Sequence, residues 1–405
     1  MSRKCLYPFT NVTVNTNGSV APCCKFNTIK TAISDLEKET LYEKNIKELF
    51  FQPRMNEIRE QFLNGIEPEE CNVCWSEEAS GITSMRQHRD NISKVSPYQQ
   101  KYIDKFTNPN IVTMDFKFSS LCNLKCRICG PYCSSKWLKE SLDTGEYHEH
   151  TIGIFSKYAD RKFIDNEINF EIVKELLPDL HSLEFYGGEP LLQPEHDRIM
   201  DILDSYPNLS DVNLTLCYNT NGTVFDHKAV EIWNKVNFVE LNISIDDIFE
   251  RFEYQRFLAK WEEVVANIKK YKQECGSNVQ ISLYCTVSAY NIFYIDEFVK
   301  YNAEHLGLPL RFNTVHQPEH LSVKNIPEPV KNIIKSKISM LTEKEKSFIN
   351  KDYHVDGIVN LMIANTANPA LFEKFIEKNK LHDDYRNESF EKVFSEYWIL
   401  CNNIS

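Results

Sequence analysis

From residue 111 to residue 315 the chain alternates short apolar runs with helical segments, and that alternation admits few folds. The runs 111–118, 182–186, 212–218, 238–245, 279–287 and 310–315 are rich in Val, Ile, Leu, Phe and Tyr, and each has the length of a strand. Residues 134–142, 170–177, 197–204, 228–235, 260–272 and 295–306 carry apolar residues at helical spacing. Strand, helix and strand in succession require parallel pairing with crossover helices, so the expected fold is α/β, a partial and open TIM-like (β/α)6 barrel. In such a barrel the loops at the carboxyl ends of the strands converge on the mouth.

The flanks differ from this pattern. Residues 1–95 hold five cysteines and few long apolar runs, so a metal would have to staple them into a small α+β module. Helices are expected there at 41–51 and 53–63, with Pro53 suited to a helix start. Residues 96–110 are polar, contain Pro97 and Pro109, and read as a linker. The barrel then occupies 111–317 and a helical C-terminal extension 318–405, with helices at 330–341 and 369–378.

A chain of 405 residues with 42% hydrophobic content can bury a substantial core. No apolar stretch approaches the roughly 20 residues of a membrane span, and the N-terminus lacks the apolar run of a signal peptide, so a cytoplasmic protein without membrane contact is expected. The formal charge of -12 argues against general nucleic-acid binding, which depends on Lys and Arg neutralising phosphates. In a reducing compartment the 13 cysteines are read as ligands before disulfides.

Cys122, Cys126 and Cys129, spaced C-x3-C-x2-C, directly follow the first barrel strand. A cubic iron-sulfur cluster takes four corner ligands. Three thiols from one short loop leave an iron open to the amino and carboxylate groups of S-adenosylmethionine. Gly187-Gly188-Glu189-Pro190 follows the second strand, Asn219-Thr220-Asn221-Gly222 the third, and Ser244-Ile245-Asp246-Asp247 closes the fourth. The glycines allow close backbone approach to a ligand and Glu189 suits an ammonium group. Ser244 and Asp246 suit ribose hydroxyls, and Arg256 suits a carboxylate. Singly, each motif is an ordinary turn signal, and three cysteines alone also suit zinc. Their order on successive strand ends points to one site.

Over residues 111–315 this order resembles the radical S-adenosylmethionine (radical SAM) superfamily. The resemblance implies that Cys122, Cys126 and Cys129 ligate a [4Fe-4S] cluster. It further implies that Gly187, Gly188, Glu189 and Pro190 hold the methionine part of S-adenosyl-L-methionine, and that Asn219, Ser244, Asp246 and Arg256 complete the cofactor site. Ile128 stands where many relatives place an aromatic residue to pack on adenine. The implied chemistry is reductive cleavage of the cofactor to a 5'-deoxyadenosyl radical, fed by an electron donor such as flavodoxin or ferredoxin.

A second set comprises Cys5, Gly18, Cys23, Cys24, Cys71 and Cys74, spaced C-x12-G-x4-C and, after a gap, C-x2-C. With the stretches CNVCWSEEASGITSMR and LHDDYRNESF, it resembles the auxiliary-cluster module of SPASM or twitch proteins, placed here before the barrel. That implies an auxiliary iron-sulfur cluster, [4Fe-4S] in type, on Cys5, Cys23, Cys71 and Cys74. Cys24 is a spare thiol or an alternative ligand. The competing reading is a structural zinc site.

Of the other cysteines, Cys133 reads as a helix-start residue and Cys275 and Cys401 as neutral. Cys217 and Cys285 read as small strand thiols or as hydrogen donors to a substrate radical. His316, His320, Tyr186 and Tyr218 are candidates for proton transfer or for packing. No catalytic residue is identified. The expected function is a radical SAM enzyme that abstracts hydrogen from a peptide, with the auxiliary cluster aiding oxidation of the substrate radical. A small sugar or amino-acid derivative is the alternative substrate, and a non-catalytic zinc-binding interaction protein on a degenerate barrel is the alternative of another class.

Overall fold

A computed structural model of the chain describes residues 5–16, 19–26, 45–79, 83–87, 108–159, 170–315, 317–351 and 355–402. Gly18, His316 and most of the expected linker lie outside them. One eight-stranded sheet runs β2-β1-β3-β4-β5-β6-β7-β8. Its strands are β1 (Asn11–Val14), β2 (Val20–Ala21), β3 (Thr113–Lys117), β4 (Ser182–Tyr186), β5 (Thr215–Thr220), β6 (Phe238–Ser244), β7 (Val279–Val287) and β8 (Leu310–Thr314). Only β1 with β2 is antiparallel; the remaining neighbours are parallel.

β3 to β8 are the six expected strands, with β4 and β7 at the expected bounds. β5 begins at Thr215, later than the apolar run suggests, and follows a 3-10 turn at Leu209–Asp211 behind Asn208, whose φ is 55°. It extends through Thr220, so Asn219 lies within the strand rather than after it.

The larger difference is at the other edge, where a hairpin from the N-terminal module joins the barrel sheet. β1 runs parallel to β3, with Val12 opposite Met114 and Val14 opposite Phe116. Its alternation explains the fit: Val12 and Val14 extend the apolar face of the sheet, while Asn11 and Thr13 extend the other. Thr13 Oγ1 donates to Asp115 Oδ2 at 2.8 Å, tying the two strands together.

The sheet has two unlike faces. Met114, Phe116, Leu183, Phe185, Leu216, Tyr218, Val239, Leu241, Ile243 and Leu283 pack under the helices, together with Ile199, Met200 and Leu203 of the helix Pro194–Asp204. Each such aliphatic side chain contributes about 1.5–3 kcal/mol on burial. The opposite face carries Asp115, Lys117, Glu184, Tyr186, Cys217, Asn219, Glu240, Asn242, Ser244 and Tyr284. Parallel strands buried on both faces usually read as continuous apolar runs. Here the alternation marks an interior built to meet polar groups.

Beyond β8 lie the helices Glu328–Ser339, Val355–Ile363, Pro369–Arg386 and Ser395–Asn402. The expected helix at 369–378 runs about two turns further, to Arg386, where Asn387 at φ 55° ends it. An aromatic seam fastens this extension to the barrel: Phe375 meets Tyr290 edge-on at 4.9 Å, and Tyr397 stacks on Phe293 at 5.4 Å. Among the described residues no helix is long and apolar enough to cross a membrane.

Candidate active site

The loop after β3 brings Cys122, Cys126 and Cys129 together without regular secondary structure. Cys122 and Cys126 are buried and Cys129 is exposed. Cys129 N donates to Cys126 O at 2.9 Å, closing a turn, and Leu124 N points at Cys122 Sγ at 3.4 Å. Burial, then the neighbouring Cys126, pushes the Cys122 thiol up to about 12. Crowded, desolvated thiols resist ionisation unless a cation joins them, and a metal ion supplies that charge. The donor set therefore fits a thiolate-bound cluster. Ile128 is half-buried and packs against the main core.

The Gly-Gly-Glu-Pro turn serves this loop directly. Gly188 has φ +54°, and a Cβ there would lie 2.2 Å from the carbonyl oxygen of Leu121. Its close approach is thus to the cysteine loop rather than to open ligand space. Glu189 N donates to the same Leu121 oxygen at 2.9 Å, and so does Gln193 Nε2. The Glu189 carboxylate is buried and accepts from Thr220 Oγ1 at 2.6 Å and Asn221 N at 2.7 Å. Burial pushes it up to about 7 against the pull of those donors. Pro190 opens a short 3-10 turn beyond it. Asn221 Nδ2 in turn donates to Asn123 Oδ1 at 2.9 Å, between the first two cysteines.

At the end of β6, Ser244 is half-buried on the polar face. Asp246 and Arg256, expected to meet ribose and carboxylate, are buried and paired with each other at 2.9 Å. Asp246 also accepts from Thr286 N at 2.9 Å. Asn219 and Asn242 face each other across β5 and β6, and the buried Oδ1 of each has no hydrogen-bond partner among the described residues. An unmet buried acceptor costs about 1–3 kcal/mol, a cost that a bound ligand or water removes.

The second set closes around one small cavity of about 20 Å³, lined by Cys5, Cys23, Cys71 and Cys74 with Tyr7, Phe26, Phe62 and Met85 and the stems of Lys25 and Arg86. The cysteines come from the stretch before the helix Tyr7–Thr10, the turn after β2, and the start of a helix at Asn72–Ala79 that periodicity did not reveal. Burial, and then Cys24, Cys5 and Cys74, push the Cys23 thiol up. Four mutually repelling thiols around an apolar hollow suit a metal centre closed by the protein. Cys24 does not line the cavity; its thiol lies 3.7 Å from Met85 Sδ and faces Asp115, Lys117 and Glu184.

Sequence reasoning missed the group on the polar face, although period-two alternation in TMDFK and SLEFY places it. Asp115 and Glu184 are in register, as are Lys117 and Tyr186. Tyr186 donates to Glu184 at 2.8 Å, and burial pushes Asp115 up to about 7. Against the effect of its burial, Lys117 is held above the usual lysine range by Cys24, Asp115, Cys133 and Cys23. Cys217 sits on this face, whereas Cys285 is buried among the helices. Tyr218 is core, hydrogen-bonded to His196 at 3.0 Å. His320 is pushed down to about 4, first by burial and then by Lys374 and Lys378.

Comparison with known proteins agrees with this division. The Radical SAM superfamily model matches residues 116–301, and that of an iron-sulfur cluster-binding domain, SPASM, matches residues 5–75. GTP 3',8-cyclase of Syntrophomonas wolfei subsp. wolfei is 27% identical over 146 residues, spanning 36% of this chain and 37% of the cyclase. Native anSMEcpe with bound AdoMet shares 18% identity over 54% of this chain and 58% of its own, with a TM-score of 0.36. Streptococcus suis SuiB shares 11% over 75% and 62%, with the same TM-score. The chain thus spans less than two thirds of each of these relatives. The domains imply a [4Fe-4S] cluster with S-adenosylmethionine and an auxiliary iron-sulfur cluster. The chain carries a radical SAM domain over residues 116–301 and, ahead of it, a SPASM iron-sulfur domain.

Proposed function

We propose that the protein is a radical SAM enzyme that abstracts hydrogen from a polar substrate, a peptide side chain in our reading, held on the polar face between two thiol sets. The observation that carries this reading is the polar sheet face, where Asp115 stands in register with Glu184 and Lys117 with Tyr186 on β3 and β4; β3 leads into the loop of Cys122, and its other neighbour, β1, belongs to the module of Cys5 and Cys23. When bound, the main cluster and S-adenosylmethionine supply a 5'-deoxyadenosyl radical. Cys122, Cys126 and Cys129 would hold that cluster, and Cys5, Cys23, Cys71 and Cys74 the auxiliary one.

The remaining work belongs to side chains of the chain itself. Glu189 fixes the ends of β4 and β5 through Thr220 and Asn221 and thereby sets the mouth. Asn219 and Asn242 offer unpaired acceptors to donors on cofactor or substrate. Asp115, Lys117 and Glu184 give the interior both signs of charge, which suits a group with amide or zwitterionic character.

Anaerobically purified protein should carry about eight irons if both sites hold cubic clusters. Reduction in the presence of S-adenosylmethionine should release methionine and 5'-deoxyadenosine. Zinc in place of iron, without cofactor cleavage, would overturn the reading in favour of a binding protein.

A further inference from the structure

The two basic residues threaded between the main-loop cysteines are held from the far end of the chain. Arg127 is buried; its guanidinium lies 3.6 Å over the Tyr254 ring, donates to Glu388 at 2.8 Å and pairs with Asp383. Asp383 also accepts from Tyr254 Oη at 2.8 Å and from Phe390 N at 2.6 Å. Lys125 pairs with Glu140, whose buried carboxylate is gripped by Arg386 at 2.8 Å and His382 at 2.9 Å. The backbone is fixed as well: Arg127 N donates to Gln255 O at 2.8 Å, and Trp137 Nε1 to Cys126 O at 3.1 Å.

We propose that the helix Pro369–Arg386 and the turn after it form a clamp on the cysteine loop, with Arg127 and Lys125 as positioning residues for the cluster. The inference rests on the proposed function, because it presupposes that Cys122, Cys126 and Cys129 ligate iron. A loop without helix or strand cannot hold three sulfurs in a fixed triangle by its own hydrogen bonds. Residues next to the cysteines in the chain whose side chains are anchored outside the loop can. Buried ion pairs often add little stability over apolar replacements, so geometry is the better account of this pair.

The test uses full-length protein reconstituted anaerobically, with iron content, electron paramagnetic resonance of the reduced clusters and thermal melting read together. Arg127→Gln should lose more than half of the main-cluster signal while the auxiliary signal and the melting transition persist. Arg127→Lys should recover most of it, and Glu140→Gln should lower it less. An unchanged main-cluster signal in folded Arg127→Gln would overturn the clamp, and so would equal loss of both signals. If the wild-type protein carries no iron that depends on Cys126, the proposed function fails instead, which keeps the two failures distinguishable.

Discussion

The two thiol sets solve one problem in opposite ways. The main set draws three cysteines from one short loop and braces that loop from outside, through Leu121 to the Gly-Gly-Glu-Pro turn, through Asn123 to Asn221, and through Arg127 to Asp383. The auxiliary set draws four cysteines from three separate segments around an apolar hollow. A braced loop keeps its shape with a coordination position left open. A cavity whose four thiols come from separate segments would depend on a metal to hold those segments together. The contrast is between a site that the fold makes and a site that a metal completes.

The largest expected effect is on the braced side. Cys126→Ala should reduce 5'-deoxyadenosine formation to background while auxiliary iron stays, as read by product analysis and metal content. Next, Cys71→Ala should lower iron from about eight to about four per chain. It should also raise hydrogen exchange in the described N-terminal segments while leaving β4 to β7 protected. Equal exposure of the barrel strands would show that the second site is not metal-stapled.

Smaller effects sharpen the comparison. Gly188→Ala meets both a φ of +54° and the Leu121 carbonyl, and should destabilise the protein by about 2 kcal/mol or more in chemical denaturation. Glu189 holds its proton more tightly in the folded state, up to about 7, than in the unfolded chain. Its contribution is therefore greatest at low pH and is lost as pH rises from the ordinary carboxylate range to about 7. The fall is on the order of 3 kcal/mol, and Glu189→Gln should flatten it, which melts at pH 5 and pH 8 would register. Smallest of all, Cys24→Ser should leave auxiliary iron unchanged.

What was legible in the sequence follows the same contrast. The barrel strands β4 and β7 lie where local alternation put them, because their apolar residues repeat at the strand period and turn residues bound them. β1 was not legible as a barrel strand. Its partner β3 lies about a hundred residues on, and four residues of alternation do not name a partner. Cys23 and Cys24 are adjacent, so spacing alone could not separate the cavity thiol from its neighbour; the turn after β2 does. The motif residues Asp246 and Arg256 were visible, yet not that each is the other's partner, since pairing depends on how the helix Phe249–Gln255 returns to the sheet. The C-terminal contacts of Arg127 were invisible for the same reason: they join residues more than 250 positions apart.

The most direct measurement is the electron paramagnetic resonance spectrum of the reduced protein before and after addition of S-adenosylmethionine, compared between wild type and Cys71→Ala. The cofactor should shift one of two signals in the wild type, and that same signal should be the one surviving in Cys71→Ala. A shift of the signal that Cys71→Ala removes, or no shift at all, would contradict the assignment of the open iron to the loop after β3.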